Sequence, residues 1–99
     1  MVVIHVTFQV KPEAREEFLA AARVAAATTR RLESGNQLYR FSVDIDDPNT
    51  IVLAEEWVDK DALIAHTKMD HFAVFRAAIE GKFDDRAGLM FDVSRQREV

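Results

Sequence analysis

From Val2 to Val10 the chain alternates: Val2, Ile4, Val6, Phe8 and Val10 share one side, and Val3, His5, Thr7 and Gln9 share the other. A period of two is that of a strand, so the chain opens on a strand with one wholly apolar face. Lys11-Pro12-Glu13 closes it. The period then lengthens. Phe18, Ala21 or Ala22, Ala25, Thr29 and Leu32 recur every three or four residues and predict one long helix from Glu13 to about Glu33. Pro12 and the acidic Glu13, Glu16 and Glu17 suit its start, and Arg30 and Arg31 its end. Six alanines between Ala20 and Ala27 give it a slim profile that can lie close on a sheet. Gly35 is expected to cap it in the left-handed conformation, with Asn36 following.

Alternation returns from Leu38 to Ile45, with Tyr39, Phe41, Val43 and Ile45 on one face. The turn residues Asp46-Asp47-Pro48-Asn49 lead into a third strand, Thr50 to Val58, so these two form an antiparallel hairpin. Ile51, Leu53, Glu55 and Trp57 lie on one face of the third strand; Val52, Ala54, Glu56 and Val58 lie on the other. Asp59 suits the N-cap of a short helix carrying Leu63 and His66. A second helical segment, about Asp70 to Glu80, carries Phe72, Phe75 and Ile79, with Thr67-Lys68-Met69 kinking or separating the two. Gly81 ends it. The last strand is clearest in Leu89, Phe91 and Val93, and residues 95–99 read as a mobile or partner-clasping tail.

The order βαββαβ predicts an α+β, ferredoxin-like sandwich in one domain over residues 1–99, with helices on one face of a four-stranded antiparallel sheet. Several strands are apolar on both faces, which a lone two-layer domain does not need. Two sheets packed face to face would cover the surplus, so a homodimer is expected.

Composition narrows the function. A net charge of −4, with no basic cluster interleaved with aromatics, argues against nucleic acid. The absence of cysteine removes thiolate chemistry, disulfides and Cys-ligated metals. The first residues carry neither a basic leader nor a cleavage site, and no apolar run reaches membrane-spanning length, so a soluble cytoplasmic protein is expected. Three widely spaced glycines make no phosphate-cradling loop.

Candidate chemistry gathers between Ile51 and Phe75, which hold the only Trp and two of the three His. On one continuous helix His66 and His71 would point about 140° apart. They would therefore not form a metal pair unless His5 and a carboxylate such as Glu55 or Glu56 converged with them, and no metal is expected. His66 fits two roles: a proton-handling group at a cavity mouth, or a helix-end histidine bonded to a backbone carbonyl. Trp57 is either core or the wall of a flat aromatic pocket with its N–H aimed at a polar atom, and Tyr39 and Phe41 would extend that wall. Asn36 either holds the turn or joins the site. His5 faces a covered cavity or the surface. His71 is structural or interfacial. Glu55 and Glu56 face opposite ways and so are not a paired-carboxylate acid–base site; one is expected to be under-hydrated and paired to an Arg.

Gly35-Asn36-Gln37-Leu38-Tyr39-Arg40-Phe41, Glu55-Glu56-Trp57, Ala65-His66 and His71-Phe72 together resemble the antibiotic biosynthesis monooxygenase domain, in its quinol-monooxygenase-like branch, over essentially the whole chain. The resemblance implies a dimeric α/β barrel with a pocket in each subunit. It also implies oxidation of a small quinol or phenolic aromatic by O₂ with no metal, haem or flavin. On it, His66 and Trp57 match the helix histidine and pocket tryptophan and are the expected catalytic residues, with Tyr39, Asn36, His5, His71 and Phe72 around the substrate. Polyketide-tailoring members carry Asn and Tyr where this chain has Leu53 and Leu63, which argues for a smaller substrate. Other members are non-oxidative enzymes, including a sugar-phosphate isomerase. An isomerase-like enzyme and a ligand-binding dimer without turnover are therefore the alternatives.

Overall fold

The computed structural model describes residues 1–99. Its elements are β1 (Val2–Val10), α1 (Arg15–Leu32), β2 (Asn36–Val43), β3 (Thr50–Trp57), α2 (Lys60–Thr67), α3 (Asp70–Ile79) and β4 (Phe83–Asp92). The sheet runs β2-β3-β1-β4 with every neighbouring pair antiparallel, which is the expected ferredoxin-like arrangement. No helix is long and apolar enough to cross a membrane.

The alternation read in β1 and β3 is the one that packs. Val2, Val6, Phe8 and Val10 meet Ile51, Leu53 and Trp57 in one buried layer under the helices. Phe18 of α1 lies edge-on between Phe8 and Phe75 of α3, at centroid distances of 5.1 and 6.3 Å. Ala22, Ala25 and Ala26 let α1 settle close on the sheet.

Several local expectations are corrected. Residues Pro12–Ala14 form a separate 3₁₀ turn, so α1 begins at Arg15 rather than Glu13. Leu32 is exposed and does not continue the buried stripe, because α1 ends there and the extended backbone of Glu33 turns the next side chain inward. β2 stops at Val43, since Asp44 accepts the Asp46 N–H and folds the chain into the turn, leaving Ile45 in solvent. β4 runs from Phe83 to Asp92 and leaves out Val93, whose N–H donates to the Met1 carbonyl just outside the strand.

Gly35 is not left-handed; Gly81, at φ 75°, is the one residue that is. Gly35 is needed for a different reason. A Cβ there would lie 2.7 Å from Ala62 Cβ and 3.3 Å from Val58 Cγ1. The bare backbone thus lets α2 dock beside the start of β2, while the Gly35 carbonyl accepts the Val58 N–H at 2.9 Å. Asp59 caps α2 as expected, accepting the Ala62 N–H.

Overpacking of this kind costs about 1–3 kcal/mol. Gly35→Ala should lower the urea midpoint accordingly, and adding Ala62→Gly should recover more than the two single effects allow if they add. Gly35→Ala with wild-type stability would show that α2 is not held by this contact.

Candidate functional site

Between the helix-covered face of the sheet and α3 lies a cleft of about 800 Å³. Val6, Phe8, Leu53, Phe72, Phe75, Ile79 and Phe83 make its apolar walls, and Tyr39, Glu55, Glu80, Arg76 and Arg86 its polar groups. Such a space, mostly apolar with a few convergent polar atoms, has the make-up of a small-molecule pocket.

Glu55 is the buried carboxylate inside it. The β3 alternation that buries Ile51, Leu53 and Trp57 carries Glu55 to the same face. Trp57 Nε1 donates to Glu55 Oε1 at 3.0 Å. Burial pushes the Glu55 carboxyl above its ordinary value; the Trp57 N–H, His66 and Arg86 act the other way, and Glu33 adds to the rise. The expected ion pair with an Arg is absent: Trp57 is the direct partner, and Arg86 acts through space from beside the Phe8 ring. Tyr39, across the hairpin from Glu55, has its phenol pushed up by burial and by the carboxylates of Glu55 and Glu33.

The remaining anticipated residues separate into three places. Tyr39 and Phe72 stand in the cleft wall. Trp57 and His66 lie one layer behind it, both buried. The His66 ring is boxed by Trp57, Tyr39 and Phe72 at centroid distances of 4.6, 5.4 and 5.1 Å. His5 and Asn36 lie elsewhere. His5 points from the opposite sheet face, exposed and 5.5 Å from the Phe91 ring, because its place in the β1 alternation excludes it from the helix side. Asn36 ties the hairpin instead, its Nδ2 donating to the Leu38 and Glu56 carbonyls.

His66 is neither at a cavity mouth nor bonded to a carbonyl. Its Nδ1 lies 2.6 Å from Glu33 Oε2, and His71 Nε2 reaches the same oxygen at 2.7 Å. The helix geometry that separates the two histidines does not apply, because α2 ends at Thr67 and α3 starts at Asp70. The intervening break turns both rings toward the end of α1.

Glu33 and Arg86 have no place among the residues anticipated for the site. For Glu33 the sequence does carry a signal, an acidic residue at a helix end where the macrodipole disfavours it. Arg86 is an exposed strand position with no distinguishing pattern.

A family model described as "Antibiotic biosynthesis monooxygenase" matches residues 1–78, which takes in β1 through most of α3. "Putative monooxygenase YcnE" of Bacillus subtilis is 38% identical over 77 residues, spanning 78% of this chain and 80% of that protein. A solved structure described as "Putative antibiotic biosynthesis monooxygenase from Nitrosomonas europaea" superposes with a TM-score of 0.89 at 26% identity, covering 96% of this chain and 100% of that one. A second, described as an antibiotic biosynthesis monooxygenase, gives 0.86 at 29% identity with the same coverage.

The raised Glu55 pKa has a defined sign. The folded state holds the proton more tightly than the unfolded state, so stability falls as pH rises from the ordinary value of 4.5 through the folded value. Above that window the full cost of a buried anion remains. Glu55→Gln keeps an acceptor for Trp57 and removes the charge. Its melting temperature should exceed that of wild type at about pH 8, and the gap should close toward about pH 4.5. A gap that is absent, or constant with pH, would refute a destabilising Glu55 anion.

Proposed function

The chain belongs to the antibiotic biosynthesis monooxygenase family, and from that membership we propose that it oxidises a small phenol or quinol with O₂ in the cleft beneath α3, without a cofactor. The observation that carries the reading is the buried carboxylate of Glu55 in a largely apolar space of substrate size, whose other charged groups are Glu80, Arg76 and Arg86.

Glu55 is the base. Its Oε1 is fixed by Trp57, and its raised affinity for a proton brings it closer to a phenol than an ordinary glutamate is. It takes the substrate hydroxyl proton and leaves a phenolate. The phenolate gives one electron to O₂, and the phenoxyl–superoxide pair combines at a ring carbon bearing hydrogen. The peroxide regains the proton from Glu55, then loses water to leave a quinone. One O₂ is consumed, with one oxygen atom retained in the quinone and the other released as water. The apolar walls exclude bulk water and admit O₂, and the Arg86 guanidinium offsets the negative charge that passes from phenolate to superoxide. Trp57 and His66 act as positioning residues: Trp57 aims Glu55, and His66 backs Tyr39 and Phe72.

A phosphate-handling isomerase fits less well. The cleft sets Arg76 and Arg86 against Glu55 and Glu80, so it carries no surplus of positive charge. Arg40 lies outside it, in a separate groove between α1 and β2.

The uncovered sheet face supports a homodimer. The register aligns Val3, Val52, Ala54, Leu89 and Phe91 there, with Leu89 65% and Phe91 45% exposed. A patch of this kind on an 11.3 kDa chain is best covered by a second copy. Light scattering of a dilute solution should return twice the chain mass, and the mass of one chain would overturn this.

Purified protein should consume O₂ with hydroquinones or naphthol-type phenols at rates well above autoxidation. Glu55→Gln should lose about 100-fold or more in kcat/KM, the scale of general-base catalysis. The acid limb of the pH profile should lie above 4.5, since only ionised Glu55 accepts the proton. Absence of uptake across the panel, or full activity in Glu55→Gln, would reject the proposal.

A further inference from the structure

Away from the cleft, three chemically matched side chains meet behind its wall. Glu33 closes α1, His66 is in the last turn of α2, and His71 is in the first turn of α3. One donor atom from each lies within 4.8 Å of the others. We infer that Glu33, His66 and His71 form a binding site for one divalent transition-metal ion of the zinc type, which clasps the end of α1 to the α2–α3 break.

Three features point to a cation. The first is the donor set: two imidazole nitrogens and one carboxylate oxygen, the combination that suits zinc, cobalt(II) or iron(II) and not calcium or magnesium. The second is geometry. Both ring nitrogens are already aimed at one Glu33 oxygen, at 2.6 and 2.7 Å. Tetrahedral ligands about 2.1 Å from a zinc ion are about 3.4 Å apart, so each ring nitrogen needs to move less than about 1 Å farther from the Glu33 oxygen. The His71 side chain, 14% exposed, gives that freedom and a path of entry from solvent. The third is charge. Glu33 stands at the negative end of α1, and its charge and that of Glu55 both bear on Tyr39. No Lys or Arg forms an ion pair with Glu33; the histidines are its partners. A bound ion would replace the N–H donors and neutralise the buried carboxylate more completely.

The site lies behind Tyr39 and Phe72, outside the cleft, so its role is to fix the wall and not to carry the oxidation. It therefore stands independently of the reaction proposed above.

The test is calorimetric titration of chelator-treated protein with zinc chloride, and with cobalt(II) chloride followed by visible absorption. One equivalent should bind at micromolar affinity or tighter, and the cobalt form should show the intense bands of a tetrahedral site. His71→Ala, a partly exposed position, should weaken binding by more than about 100-fold, beyond what losing an outer-shell partner costs. His5→Ala should leave the stoichiometry unchanged, because His5 is on the opposite sheet face. Zinc should also raise the melting temperature of wild type by at least about 5 °C and leave that of His71→Ala unmoved. No saturable binding to the wild-type protein would overturn the inference and leave the cluster a hydrogen-bonded clasp. So would binding that survives His71→Ala or is lost in His5→Ala.

Discussion

The burial of a carboxylate on an interior strand is the constraint on which this molecule turns. β3 is flanked by β2 and β1, and its inward face must be apolar to pack under the helices. Glu55 breaks that rule at one position. The break is tolerable because Trp57, two residues on and on the same face, supplies an N–H, and because the cleft leaves part of the carboxylate reachable. A fully sealed Glu55 would be neutral, and a fully solvated one would be an ordinary weak base. The intermediate setting raises its proton affinity while leaving the ion accessible.

Most of the fold could be read from periodicity, because burial enforces it. The two-residue alternation of β1 and β3 and the helical stripe of Phe18, Ala22, Ala25 and Thr29 reappear as the packed layer. Failures sit where no packing enforces a pattern. Leu32 and Ile45 are apolar residues at the ends of elements, where the chain has already turned, so periodicity assigned them to faces that no longer exist there. Gly35 illustrates another limit. A glycine after a helix suggests a left-handed cap, but an approach of 2.7 Å to another element's Cβ has no local signature.

The site was legible in part for the same reason. Tyr39 and Phe72 were placed through strand alternation and a recognisable motif. The sequence leaves open which of Glu55 and Glu56 is under-hydrated and points to an Arg rather than to Trp57, because an i,i+2 bond along a strand competes with every Arg that could arrive from elsewhere. His5 and Asn36 carried suitable chemistry at positions the topology turns away from the cleft. Side-chain type identifies what a residue can do; only the register decides what it can reach.

The same point governs the two histidines. Five residues apart on one helix, they diverge; a break of two residues between α2 and α3 makes them converge on Glu33. Three chain segments thus close at a single carboxylate oxygen, and the ring of His66 passes that constraint to Tyr39, Trp57 and Phe72. The wall of the cleft is therefore held from behind by polar bonds and not by apolar packing alone. Polar bonds are directional, so they fix where an aromatic wall stands more narrowly than packing between smooth rings does. The position of Tyr39 and Phe72 in the cleft wall is thus set by the contact of α1, α2 and α3 at Glu33.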